Sequence, residues 1–375
     1  MKTWETILSY EEMAGMYQSI PSIMNMFFTN TFYKAPRGIW GDTVSIINVS
    51  ATNAPGQMNT KGAAARVIQP KGGGKRDFSI FHKFDELPLD IQALTHLRQM
   101  DSPELQEMGK DVLDIQLEHL AAQNRLTKEV ILASIFMYNR VNIDSNGNIL
   151  TPSVHATTGA ITDASGTLIS ADFGVPNDHR GNLGGIISAQ WSTAGTDIAL
   201  QLDNLDRQAG IDGAPKPMDF IINAIHKSAF ANNTQVKEWA KYNNTSNLGQ
   251  QVLNNFDTDT LTVFGKRFHF VSGTWEDTWT TPGTTTTRDI VPQLVALAIP
   301  DVGPWLQALT GKILVPVGQG LCSAATPLED FKAVEGEYAY GYSNHNPVRV
   351  SVFGGDSFGM GFKNPNCLWV PKLFS

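Results

Sequence analysis

Residues 102–138 read SPELQEMGKDVLDIQLEHLAAQNRLTKEVILASIFMY, and the fold class turns on this stretch. Ser102 is a good N-cap, Pro103 suits the first helical position because its missing N–H has no intrahelical partner there, and Glu104 lies where the helix dipole favours an anion. No proline follows Pro103 and no glycine follows Gly109. Leu105, Met108, Val112, Ile115, Ala122 and Leu126 recur at helical spacing, with Leu113, Leu117 and Leu120 widening the stripe. At about 1.5 Å per residue one helix of this length extends roughly 50 Å, beyond the three or four turns usual in globular domains. Thr127 followed by Lys128, Glu129 and Val130 also fits the start of a second helix, so two abutting helices stand as the alternative. His119 falls within the apolar stripe, where a hydrogen-bonded core histidine is expected.

Working outward, a chain of 375 residues with 42% hydrophobic and 17% charged residues is folded and long enough for two or three units. A net charge of -8 argues against tight, nonspecific gripping of nucleic acid by a basic face, so any nucleic acid it meets is contained more than gripped. Cys322 and Cys367 show neither a CxxC spacing nor a disulfide framework, and fit a reducing cytoplasm as free core thiols. Lys2 is followed by no apolar core before Glu11 and Glu12, so no signal peptide is expected. No run approaches the roughly 20 apolar residues of a membrane span. A soluble, intracellular protein is the expectation.

Residues 1–50 read as an arm, with a short helix around Thr6 to Tyr17 and then Ile23, Met24, Met26, Phe27, Phe28 and Phe32, which need cover from the chain's own core or from a neighbour. Thr43 to Val49 is strand-like. Ala65 to Gln69 and Asp77 to Phe84 read as two extended pieces joined by the flexible tip Pro70-Lys71-Gly72-Gly73-Gly74-Lys75. Beyond the long helix, Arg140 to Val175 reads as a β-meander with turns at Asn146-Gly147 and Ala164-Ser165-Gly166. Residues 190–330 read as a mixed region, with helices at Thr196 to Gln208, Pro217 to Phe230 and Thr234 to Tyr242, then strands alternating with loops. The last 40 or so residues return to strand at Tyr338 to Tyr342, Val348 to Phe353 and Cys367 to Val370.

Catalytic motifs fail one by one. Gly355-Asp356-Ser357-Phe358-Gly359 has the form of a nucleophile elbow, but no Asp, Glu or His follows Ser357. Gly74-Lys75 is followed by Arg76 and lacks the earlier glycine of a phosphate-binding loop. Asp172-Phe173-Gly174 has no catalytic loop before it and reads as a turn. Asp144, Asn146 and Asn148 lack the glycine and closing glutamate of a calcium loop. The eight histidines show no HxH or HExxH spacing. No catalytic residue, metal site or cofactor is expected, and a structural role is.

The order of parts resembles the major capsid protein E family of tailed phages, the lambda type, with its Hong Kong 97-like shell fold. The resemblance runs through Phe27-Phe28 and Tyr33, then Gly62 and Arg66. It continues through Glu118, Ala121, Ala122 and Gln123 in the long helix, then Asp172-Phe173-Gly174 and Trp191. At the end stand Gly336-Glu337-Tyr338, Asn346-Pro347, Gly355-Asp356-Ser357-Phe358 and Asn364-Pro365-Asn366. It implies an α+β chain divided into an N-terminal arm (1–49), an extended loop (50–90), a peripheral domain (91–189 and 331–375, with its spine helix at 102–138) and an axial domain (190–330). It further implies a non-enzymatic subunit that assembles with itself as pentamers and hexamers into an icosahedral shell around double-stranded DNA, in the host cytoplasm, to form the virion capsid. A scaffold, a portal and a decoration protein are the implied partners, with no membrane. The loop tip Lys71, Gly72, Gly73, Gly74 and Lys75 is the candidate assembly site, and Lys71 and Lys75 are placed where some shells of this fold cross-link. The rival readings are an encapsulin-like shell around cargo protein, a monomeric binding module, and a serine hydrolase at Ser357.

Overall fold

Pro103–Tyr138 is one uninterrupted helix in the computed structural model, which describes residues 8–21, 26–48, 74–89, 95–96, 102–187, 189–242, 259–281, 283–316, 322–323, 331–345 and 348–374. Gln106 N–H closes the first turn on the Ser102 carbonyl, as expected for a helix entered at Ser102. Thr127 does not begin a second helix, since its hydroxyl donates back to the Gln123 carbonyl of the same helix. The chain divides into two compact units. One comprises Met1–Val44, Ser79–Val130 and Ala308–Met360, and the other Ser45–Phe78, Ile131–Gln307 and Gly361–Ser375.

The first unit is built on the seven-stranded sheet to which Val348–Phe362 contributes its longest strand. That strand pairs antiparallel with Tyr338–His345, Tyr338 lying opposite Gly355, and antiparallel with Phe81–Pro88, Phe358 lying opposite Phe81. Arg37–Ile39 adds a parallel edge against Leu309, Thr310 and Gly311. The arm helix Tyr10–Ser19 and the long helix cover the sheet through Met13, Tyr17, Leu113, Leu117, Leu120, Ala121, Ala339, Val350 and Val352. Gly354 permits this close approach, because a Cβ there would lie 2.6 Å from Leu120 Cδ2.

The second unit has a four-stranded sheet in the order Thr260–Val263, Lys266–Val271, Asp219–Asn223, Leu297–Ile299. Its core gathers Trp191, Phe220, Phe230, Phe268, Phe270, Trp369 and Phe374. Helix Ile198–Ile211 is capped by Asp197, which accepts from Leu200 N–H at 3.0 Å, and Trp191 donates to Gln201 at 2.8 Å. The small strands Arg140–Ile143, Ile149–Leu150 and Ile169–Asp172 form a three-stranded sheet. Cys367 is a buried free thiol pushed up to about 12 by desolvation.

Several expectations change. The helix buries Gln106, Leu113, Leu117, Leu120, Ala121 and Asn124, whereas Met108, Val112, Ile115 and His119 are exposed. Apolar residues lie on two faces, and packing selects the face with the leucines, leaving His119 outside the core. From Val130 to Asn139 every residue is buried. Asp219–Asn223, read as helix, is a strand buried at all five positions, where no alternation survives to mark it. Ala164-Ser165-Gly166 joins strands of different sheets, because Ile161–Thr162 pairs with Ser153–Val154 while Ile169–Asp172 pairs with Arg140–Ile143. Asp77 to Phe84 is two strands, Gly74–Ser79 and Phe81–Pro88, broken at Ile80. The strand expected over Val348 to Phe353 continues to Phe362, through Gly354, Gly355, Gly359 and Gly361.

Candidate assembly site on the arm, the long helix and the extended loop

Of the loop-tip residues, Lys71, Gly72 and Gly73 lie outside the described residues, as do Ala65 to Gln69. Gly74 opens the strand Gly74–Ser79, and Lys75 is exposed with Nζ 3.9 Å from Asp77. The partner of this strand is Thr43–Asn48, and the two form a two-stranded ladder. Asp77 is fixed by a hydrogen bond from Ser45. At the foot of the excursion Ile80 N–H donates to the Asp42 carbonyl at 2.8 Å.

The arm is tied to the long helix by charge. The short helix Phe27–Phe32 has no side-chain cap of its own. Instead Glu129, buried on the long helix, accepts from Phe28 N–H at 2.7 Å, Thr29 N–H at 2.8 Å and the Thr29 hydroxyl at 2.7 Å. A carboxylate is well placed there, since it meets unpaired N–H groups and the positive end of the helix dipole. Burial raises the Glu129 carboxyl above its usual value, against the lowering effect of these hydrogen bonds. One residue earlier, Lys128 Nζ lies 2.7 Å from Asp356 Oδ2, with both side chains buried. The ammonium also sits 4.1 Å from the Tyr33 ring centre, a cation–π contact. Tyr33 in turn donates to the Leu309 carbonyl at 2.7 Å. Burial pushes the Asp356 carboxyl up despite Lys128. Arg125 completes the set, pairing with Glu337 at 3.0 Å and donating to the Ile20 and Tyr17 carbonyls at the end of the first arm helix.

Ser357 does have a histidine and an acid, earlier in the chain. Its hydroxyl lies 2.8 Å from His82 Nδ1, and His82 Nε2 lies 3.0 Å from Asp42. The two strands bring Ser357 and His82 directly opposite each other. The arrangement lacks what acyl transfer needs. Ser357 is fully buried in mid-strand, not exposed on a strand-to-helix turn. A Cβ on Gly311 would fall 2.0 Å from its Oγ, so backbone occupies the space a substrate carbonyl would require. The relay fastens the Phe81–Pro88 strand, at the foot of the loop, to the sheet.

Sequence reading missed Glu129, the Lys128–Asp356 pair and His82. The first two carried a signal: adjacent charges stand immediately before Val130-Ile131-Leu132-Ala133, where burial is complete. A charge at such a place needs a partner or a hydrogen-bonded site.

A long helix lying on a mixed sheet, with the N-terminal helices held against it, is the architecture of the Hong Kong 97-like capsid fold, the class of shell subunits. A putative capsid protein from a prophage of Escherichia coli CFT073 shares that fold, with a TM-score of 0.55 and 13% identity over 98% of this chain and 99% of the other. A phage-related protein from Bordetella bronchiseptica RB50 follows at a TM-score of 0.47 and 12% identity, over 97% of each chain. The encapsulin SrpI of Synechococcus elongatus PCC 7942 gives a TM-score of 0.38 and 11% identity over 95% of this chain and 91% of the other. No curated protein matches the sequence. Residues 9–314 match phage major capsid protein E, and the chain belongs to that family. It is a major capsid protein, a structural subunit of the virion capsid and not an enzyme.

Proposed function

We propose that copies of this chain associate as pentamers and hexamers and close an icosahedral shell around the packaged double-stranded DNA of a tailed phage. The match to phage major capsid protein E across residues 9–314 carries this reading. In this reading residues 1–49 are the arm, 50–90 the extended loop, 91–189 and 331–375 the peripheral domain and 190–330 the axial domain. The loop tip Lys71, Gly72, Gly73, Gly74 and Lys75 reaches a neighbouring subunit. The net charge of -8 suits a wall that contains DNA without reading its sequence. Assembly proceeds in the bacterial host cytoplasm with a scaffold and a portal, and a decoration protein binds the finished shell. Particles purified from infected cells test this directly. The reading expects this chain as the most abundant shell component and nuclease-resistant double-stranded DNA inside. Particles of this chain holding cargo protein and no DNA would refute it.

A further inference from the structure

Helix Ile198–Ile211 buries Ile198, Leu202, Leu205 and Ala209 in the core of the second unit. Its other side is a narrow stripe. At about 100° per residue, Leu200, Asp203, Asn204, Arg207 and Ile211 all fall within roughly 100° of the circumference. All five are exposed. Leu200, 55% exposed, and Ile211, 58% exposed, put an apolar side chain at each end of the stripe. Between them stand Asp203 and Arg207, opposite in charge, and neither forms a salt bridge with a described residue. Beside the first turn lies a hollow of about 350 Å³, lined by Ala189, Thr193, Thr196, Asp197, Leu200 and Asn204. It has room for an aliphatic side chain the size of isoleucine's.

The stripe complements itself. Ile211 stands eleven residues beyond Leu200, about 16 Å along the helix axis. A two-fold axis crossing the stripe midway between them lays the helix of a second copy antiparallel on the first. That rotation brings Ile211 of each copy between Leu200 and Asn204 of the other, at the mouth of the hollow. It also sets Arg207 of each copy within about one residue's rise of Asp203 of the other, so two opposite-charge pairs form across the axis. The two helix dipoles then run in opposite directions, which favours the pairing.

We propose that this face is an isologous contact, in which helix Ile198–Ile211 of one copy pairs antiparallel with the same helix of a second copy. The inference rests on the reading of the chain as a self-assembling shell subunit, and it names a contact that a closed icosahedral shell repeats at two-fold axes. Seating of Ile211 in the hollow, twice per pair, supplies the apolar burial. The charges set the orientation, because a parallel pairing would bring Asp203 level with Asp203 and Arg207 level with Arg207.

Both halves of a charge swap sit in one chain when a contact is self-complementary. Asp203→Arg and Arg207→Asp each place like charges across the axis, and each should raise the concentration needed for assembly about tenfold. The double variant Asp203→Arg/Arg207→Asp should restore it. The positions are exposed, and circular dichroism checks that each variant is folded. Cysteines give an independent reading. Leu200 and Ile211 are too far apart to be bridged within one chain, so a chain carrying both Leu200→Cys and Ile211→Cys should run, once oxidised, as a covalent dimer on a denaturing gel. Wild type and either single cysteine variant should not. Single charge variants that assemble like wild type, a folded double variant that fails to recover, or a two-cysteine chain that gives no dimer overturns this inference and leaves the proposed function standing. A dimer from a single cysteine variant also overturns it, since that requires a different register. A wild-type chain that builds no shell overturns the proposed function, and the inference with it.

Discussion

Replacing Lys128 with methionine keeps an unbranched apolar stem, one atom shorter, and removes the ammonium, which leaves Asp356 buried without its cation. The pair is close, 2.7 Å between Nζ and Oδ2, and both side chains are less than a tenth exposed. Breaking one partner of such a pair costs about 3–5 kcal/mol, because the surviving charge has neither water nor a counter-ion. The loss of the contact with the Tyr33 ring adds about 0.5–2 kcal/mol. Pairing Lys128→Met with Asp356→Asn should recover most of the loss. The amide removes the stranded charge and keeps an oxygen for Ser357 N–H, which now donates to Asp356 Oδ1 at 2.7 Å. The pH dependence separates this account from simple loss of packing. Burial holds the Asp356 carboxyl above its ordinary value, so the folded state binds that proton more tightly than the unfolded state does. Such a group stabilises the fold at pH below the ordinary carboxylate value, and that contribution is lost as pH rises through the folded pKa. Without Lys128 the folded pKa rises further, so the penalty should be largest near neutrality and shrink on acidification towards about pH 5. Urea unfolding of the three proteins, followed by hydrogen exchange in the 104–130 part of the helix, measures this. A penalty independent of pH, or a single variant as stable as wild type, would refute the reasoning.

Other consequences follow from the same geometry. Glu129→Ala removes the acceptor for three donors of the Phe27–Phe32 helix and should weaken the arm's attachment by about 1–3 kcal/mol, seen as faster proteolysis within residues 26–33. Gly354→Ala drives a methyl into Leu120 and should destabilise by about 1–3 kcal/mol, an effect relieved in thermal unfolding by adding Leu120→Ala. The second unit should respond to acid in the opposite sense to Asp356. Burial pushes the Asp219 carboxyl up, but hydrogen bonds from His269 and Arg267 and their charges outweigh it and leave it below the usual range. Its stabilisation is present above the ordinary carboxylate value and is lost as pH falls through the depressed one, so tryptophan fluorescence, which reports mainly Trp191, Trp239, Trp275, Trp279, Trp305 and Trp369 of this unit, should show acid unfolding only below about pH 4. Arg267→Gln should move that transition to higher pH.

The long helix was legible because nothing in it competes: residues 104–138 hold one glycine, near the start, and no proline. Which side it buries was not legible, since leucines mark one face while Met108, Val112 and Ile115 mark another, and both fit a 3.6-residue period. The Asp219–Asn223 strand was hidden for the opposite reason, as burial on both faces erases alternation. In Val348–Phe362 the glycines imitate turn signals, yet Gly354 lies where the long helix presses on the sheet. The arm clamp was half visible, in Lys128 and Glu129 ahead of a wholly apolar run. Their partners were not, because Asp356 stands 228 residues from Lys128 and Phe28 stands 101 from Glu129; His82, 275 residues from Ser357, was hidden in the same way until the sheet was complete.

The central claim is that this chain builds a shell. Size-exclusion chromatography with negative-stain electron microscopy of the purified recombinant protein, over a series of rising concentrations, tests it most directly. The account predicts closed shells, or stable rings of five and six subunits. A chain that stays a monomer of about 41 kDa at the highest concentration would contradict it.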